Sequence, residues 1–154
     1  MAAPRAQPSL RARALRFLAQ REHSRPELRR KLARHEADAE LVESVLDGLE
    51  RAGLLSPARF AESLVHRRQA RYGNRRIAQE LATHDLDPET VASQMAALKD
   101  SEVARARAAW ARRFGALPQD AADRARQSRF LSGRGFSAAA IRAVLHGAID
   151  DEDE

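Results

Sequence analysis

Apolar residues recur along this chain at intervals of three and four, and no run alternates with the period of two that marks a strand. Leu10, Ala14, Phe17 and Leu18 share one face of a first helix ending near Arg21 and started by Ser9, a serine placed to cap it. Ser24-Arg25-Pro26-Glu27 then reads as a capping box with proline in the first turn, followed by the short stripe Leu28 and Leu32. A third helix over residues 39–52 carries Leu41, Val42, Val45, Leu46 and Leu49, and Gly53 is its expected stop. Ser56-Pro57 opens a fourth, with Phe60, Ala61, Leu64 and Val65 inward and its end near Arg71. Gly73-Asn74 leads to a fifth with Ile77 and Leu81, and Asp87-Pro88 to a sixth with Val91, Met95 and Leu98. A seventh spans about residues 101–114 around Val103 and Trp110. An eighth runs over about 119–132, and Ser137 caps a ninth.

Three of these turn-and-helix units align: Ser24 with Leu28 and Leu32, Gly73 with Ile77 and Leu81, Ser137 with Ile141 and Leu145. The outer two share more. Arg16-Phe17-Leu18 and Arg129-Phe130-Leu131 are each followed three residues on by an arginine and three further by a serine. The pattern predicts an all-α chain of about nine short helices in tandem three-helix repeats. The repeats are expected at 9–53, 54–99 and 100–149, between an N-terminal arm (1–8) and an acidic tail (150–154). Helices this short do not hold alone in water, so stacking on neighbours must complete the core. In the later of the two similar segments, Gly133 and Gly135 are expected to loosen the turn.

Composition adds charge to this picture. Of the 27 basic residues all but two, Lys31 and Lys99, are arginine; a compositional bias explains this as well as any selection for guanidinium chemistry does. The formal net charge is +5, but residues 150–154 are all acidic, so the chain before them carries +10. Such a body attracts phosphates or an acidic protein surface. There is no cysteine, which excludes disulfides, thiolate metal sites and a cysteine nucleophile. No signal-like or membrane-length apolar run is found, and a cytoplasmic location is expected. His23, His35, His66, His84 and His146 are scattered without metal-ligand spacing, and the serines sit at helix caps. Enzymatic activity, cofactor and metal are therefore not expected.

The arginines are the remaining candidates. Arg67, Arg68, Arg71, Arg75 and Arg76 surround one helix–turn–helix junction, and Arg25, Arg29 and Arg30 form a similar group earlier. Arg68 falls on the apolar face, where it either snorkels past the core or pairs with a carboxylate of a neighbouring helix. Arg76, four residues before Glu80, is either its partner or available to a ligand. Two binding classes fit: a basic all-α DNA-binding protein with no further partner, or a helical array that engages a large protein assembly. Neither a base-reading residue set nor a series of stacking aromatics decides between them.

Three segments resemble the RecX family, regulators of the recombinase RecA. They are LRFLAQREHSRPELRRKL, GLLSPARFAESLVHRRQARYGNRRIAQEL and RFLSGRGFSAAAIRAVL, and the resemblance runs from about residue 14 to 145. Most specific is the middle one: Gly53-Leu54-Leu55, Arg59-Phe60-Ala61, then Arg75-Arg76-Ile77 with Glu80-Leu81. Ser56-Pro57 and His84-Asp85-Leu86 depart from the family pattern, the latter replacing a basic-Gly-aliphatic turn. The resemblance implies an elongated, curved array of three three-helix repeats. It further implies a monomeric, non-enzymatic inhibitor that lodges in the groove of RecA filaments on single-stranded DNA. ATP hydrolysis, strand exchange, co-protease activity and filament extension would be limited, with consequences for recombinational repair and the SOS response. On this reading Arg29, Arg30, Arg67, Arg71, Arg75 and Arg76 contact the RecA filament or DNA.

Overall fold

The computed structural model describes residues 2–3 and 6–146, and every secondary-structure element among them is a helix. In chain order these are α1 (Leu10–Gln20), α2 (Arg25–Ala33), α3 (Ala39–Arg51), α4 (Pro57–Arg68), α5 (Asn74–Ala82), α6 (Pro88–Lys99), α7 (Glu102–Arg113), α8 (Ala121–Gly133) and α9 (Ala138–His146). The acidic tail lies outside the described residues. No helix among those described is long and apolar enough to cross a membrane.

The starts are set by the side chains the sequence singles out. Ser9, Ser24, Asp87 and Ser137 each accept a backbone N–H of the following first turn. At α2 the bond is reciprocal, with Glu27 accepting the N–H of Ser24, so two orphan donors are satisfied at once. α3 ends where Gly53 takes φ +73°. The N–H groups of Leu54 and Gly53 turn back to the carbonyls of Leu49 and Glu50, a Schellman closure.

The described residues form two compact units. The first comprises the chain up to Ser63 together with His84–Leu86. Its core is Ala14, Leu28, Leu32, Val42, Leu46, Leu49 and Leu55, with Leu10, Phe17, Leu18 and Val45 packed against it. Leu41, expected inward, is 52% exposed. The buried stripe on α3 runs Val42, Leu46, Leu49 at intervals of four and three, and Leu41 lies one residue, about 100°, off it.

The second unit comprises Leu64–Thr83 and the chain from Asp87 onward. α7 and α9 pair, α8 packs on both, and α5 pairs with α6. Its core includes Ala106, Ala109, Leu131, Phe136, Ala140, Val144 and Leu145. Glu102, Ala106 and Ala109 are the buried residues of α7, while Val103, one of the two residues around which the helix was read, is exposed. The small alanines on both α7 and α9 suit the close packing of these two helices. The one tryptophan of the chain, Trp110, donates its ring N–H to the buried Gln127 at 2.7 Å, and Gln127 in turn donates to the carbonyl of Ala116.

Helix α4 stops at Arg68, a turn before the expected end. The carbonyls that would continue it are engaged elsewhere. Arg105 donates to those of Gln69 and Tyr72, and Arg112 donates to that of Ala70.

Candidate functional site

In the first unit four arginines, Arg21, Arg25, Arg29 and Arg59, meet carboxylates. Arg25 reaches Glu43 at 2.7 Å, Asp47 at 2.6 Å and Glu50 at 3.5 Å, binding α2 to α3. Arg29 pairs with the same Glu43, and these two guanidiniums, Arg29 first, hold the Glu43 carboxyl down at about 2. Arg59 pairs with Glu22, and Arg21 with Glu27. Of the two candidates in this unit, Arg29 is thus committed to an internal network, while Arg30 is exposed and has no ion pair among the described residues.

The second unit is organised around a backbone-to-backbone crossing. Gly73 donates its N–H to the carbonyl of Arg134 at 2.8 Å, and the N–H of Arg75 donates to the carbonyl of Gly135 at 3.1 Å. A Cβ at Gly73 would fall 2.3 Å from the backbone nitrogen of Phe136; one at Gly135 would fall 2.4 Å from the Cβ of Arg76. Gly135, at φ +88°, also closes α8 with a Schellman pair, Phe136 to Leu131 and Gly135 to Ser132. This corrects the expectation that the glycines loosen the turn: Gly135 allows a close approach of main chain to main chain.

Two charged residues one turn apart on α7 secure the same junction. Buried Glu102 accepts the N–H of Asn74 at 2.9 Å and the hydroxyl of Ser137, joining the first turns of α5 and α9. A carboxylate at a helix N-terminus also meets the positive end of the helix dipole. Arg105 donates to the carbonyls of Gln69 and Tyr72 and to the side-chain oxygen of Asn74. Of the two arrangements open to Arg68, the structure has the ion pair, with Nε and Nη2 both on the Glu80 carboxylate at 3.0 Å. Glu80 is therefore engaged from α4, and Arg76 lies instead over the ring of Tyr72, its guanidinium carbon 4.1 Å from the centroid. Arg75 donates to the carbonyl of Ser132 at 2.8 Å.

Arg134 lies over both Tyr72, at 5.9 Å, and Phe130, at 5.3 Å. Beside it opens a cleft of about 720 Å³ lined by Ala70, Arg71, Ala109, Arg112, Arg113, Phe130 and Arg134. Arg113 sits over Phe130 as well, 5.7 Å from its centroid. None of the four cleft arginines has a carboxylate partner among the described residues, nor has Arg67. Uncompensated charge is thus gathered around Tyr72 and Phe130. Among the six sequence candidates, Arg71 and Arg76 belong to this face, Arg67 is exposed on α4, and Arg75 ties down a loop. Arg112, Arg113 and Arg134 were not singled out for binding. The adjacent pair at the end of α7 was the available signal, and only the fold brings it to Arg71.

The described residues contain no group of three histidine, aspartate or glutamate side chains able to hold a metal ion. What the face offers is planar cations stacked on aromatic rings, a geometry suited to phosphate or carboxylate groups.

Three consecutive three-helix domains define the class of protein. Family models match each in turn: the first three-helix domain of RecX at residues 11–49, the second at 58–93 and the third at 100–145. Proteins named Regulatory protein RecX agree over nearly the whole chain. That of Ralstonia nicotianae is 53% identical over all of this chain and 99% of its own length. That of Herminiimonas arsenicoxydans is 53% identical over 96% of this chain and 97% of its own. The crystal structure of RecX from Lactobacillus salivarius shares the fold, with a TM-score of 0.76 at 18% identity over 90% of this chain and 93% of that one. The chain belongs to the RecX family, whose members are regulatory proteins.

Proposed function

We propose that the protein is a cytoplasmic, non-enzymatic modulator of RecA that acts as a monomer on the RecA filament formed on single-stranded DNA. It occupies the filament groove and limits ATP hydrolysis, strand exchange, co-protease activity and filament extension. Family membership across all three domains is the observation that carries this reading. The charge distribution supports it: several arginines without a carboxylate partner lie together on the second unit, where an acidic filament surface or its DNA can engage several at once.

Arg67, Arg71 and Arg76 are proposed as filament-contacting residues together with Arg30. Arg29 and Arg75 act indirectly, by holding α2 on α3 and the Gly73 turn on the α8 end. Electron microscopy of growing RecA filaments provides the test. Substoichiometric protein should shorten them, and R67E/R71E/R76E should restore their length while remaining helical. Filaments of unchanged length with the unsubstituted protein would overturn the proposal.

A further inference from the structure

The RecA reading calls for cations on a surface; it does not call for a cleft. Yet the structure provides one, with four arginines around its mouth and the apolar Ala109 and Phe130 in its lining. The guanidiniums are positioned before any ligand arrives. Arg134 is held against the rings of Tyr72 and Phe130, Arg113 against those of Phe114 and Phe130, and Arg112 on the carbonyl of Ala70. Planar cations that already rest on rings or a carbonyl lose less further entropy on binding an oxyanion than unsupported ones do.

We infer that this cleft is a nucleotide site, in which Arg71, Arg112 and Arg113 hold phosphate oxygens and the base lies against Ala109, Phe130 and the guanidinium plane of Arg134. Its size suits a group of that kind, since ligand pockets span about 300–1,000 Å³. An aspartate or glutamate side chain could satisfy one or two guanidiniums but would leave the apolar lining uncovered. A nucleotide supplies doubly charged phosphate and a flat apolar body in one unit, and arginine planes accept stacked bases. The nucleotide can be free or one unit of a single strand. Arg76 over Tyr72, adjacent through the shared contact of Arg134 with that ring, offers a further cation that only a strand would reach.

The test uses the full chain without any recombinase, so its failure leaves the RecA proposal standing. Fluorescence anisotropy of a labelled oligothymidylate of about a dozen units is measured against the protein, with ATP and a glutamate-rich peptide of matched charge as competitors. R112E/R113E should weaken oligonucleotide binding about tenfold or more and make the log–log salt slope shallower by about two. R112K/R113K should retain binding in part, and R11E/R16E, the same charge change on α1, should weaken it less than about threefold. Competition by ATP at concentrations comparable to its oligonucleotide equivalent identifies a free nucleotide as sufficient, and weak competition identifies a strand; R76E should then affect only the oligonucleotide. Equal losses in R112E/R113E and R11E/R16E would overturn the site, as would a peptide that displaces the labelled oligonucleotide as readily as the unlabelled oligonucleotide does. Circular dichroism separates both results from unfolding.

Discussion

Gly73 and Gly135 come together closely enough that a Cβ on the first would lie 2.4 Å from the carbonyl carbon and oxygen of the second. Two turns far apart in sequence are thereby joined through their backbones, flanked by the bonds from Gly73 to Arg134 and from Arg75 to Gly135. Any side chain at either position forces main chain away from main chain, which relaxes less readily than a rotamer does.

G73A and G135A should each lower stability by about 2 kcal/mol or more, through overpacking alone at Gly73 and with added left-handed strain at Gly135. G53A is the comparison, because Gly53 has the same left-handed backbone with open space where its Cβ would be. That variant should lose only about 1 kcal/mol. Urea denaturation of the three would show it; equal losses would remove the special role of the crossing.

Glu102 makes a second prediction. Replacing it with alanine strips an acceptor from the Asn74 N–H and from the Ser137 hydroxyl in a buried setting. The expected cost is about 2–3 kcal/mol, with amide exchange accelerated at the first turns of α5 and α9 more than in α1–α3. Uniform acceleration over the whole chain would contradict this account of its role.

A third prediction concerns acid. His23 is fully buried, with Nδ1 3.0 Å from the carbonyl of Arg21 and Nε2 beside Lys31, and burial pushes its pKa below the ordinary 6.5. The unfolded chain therefore takes up the proton first. The stability contributed by neutral His23 is complete above about pH 6.5 and is lost as pH falls toward the lowered folded value. Melting temperature should fall as pH drops below about 6.5, and H23Q should flatten that dependence. At lower pH Glu27 and Glu43, both lowered to about 2, add a further loss that begins under their ordinary 4.5. A variant whose melting temperature keeps the same slope between about pH 6.5 and the onset of the carboxylate losses below 4.5 would show that His23 is not the group responsible.

The helices were legible because their signals are local. Ser24 with Glu27, Asp87 and Gly53 act on backbone groups within one turn, and the stripe from Val42 to Leu49 needs only the helical period. The place of Arg68 on the apolar face left snorkelling or a carboxylate partner open, and Glu80 is that partner. The misreadings share a different cause. The seventh helix was read around Val103 and Trp110, its large apolar residues, but α7 buries alanines and Glu102, a choice set by what α9 and the α5 turn bring to it. Gly135 was read as slack because nothing in its own segment reveals Gly73. The cleft was only half visible for the same reason: Arg71, Arg113 and Arg134 lie far apart in sequence and meet through tertiary packing.

The division of the arginines yields a fourth prediction. R29E breaks the network with Glu43 and places carboxylates together, so it should lower stability of the first unit by about 1 kcal/mol. R76E leaves every internal ion pair intact, costs only the exposed contact with Tyr72, about 0.5–1 kcal/mol, and should act chiefly on RecA inhibition. Thermal melts and inhibition assays on the two proteins should therefore rank them oppositely.

The central claim, that the RecA filament is the target, is tested most directly by titrating the protein into RecA on single-stranded DNA while following ATP hydrolysis, with binding to the naked DNA measured in the same buffer. The account predicts inhibition at concentrations well below those needed to bind the DNA alone. Inhibition only where the naked DNA is also bound, or none at all, would contradict it.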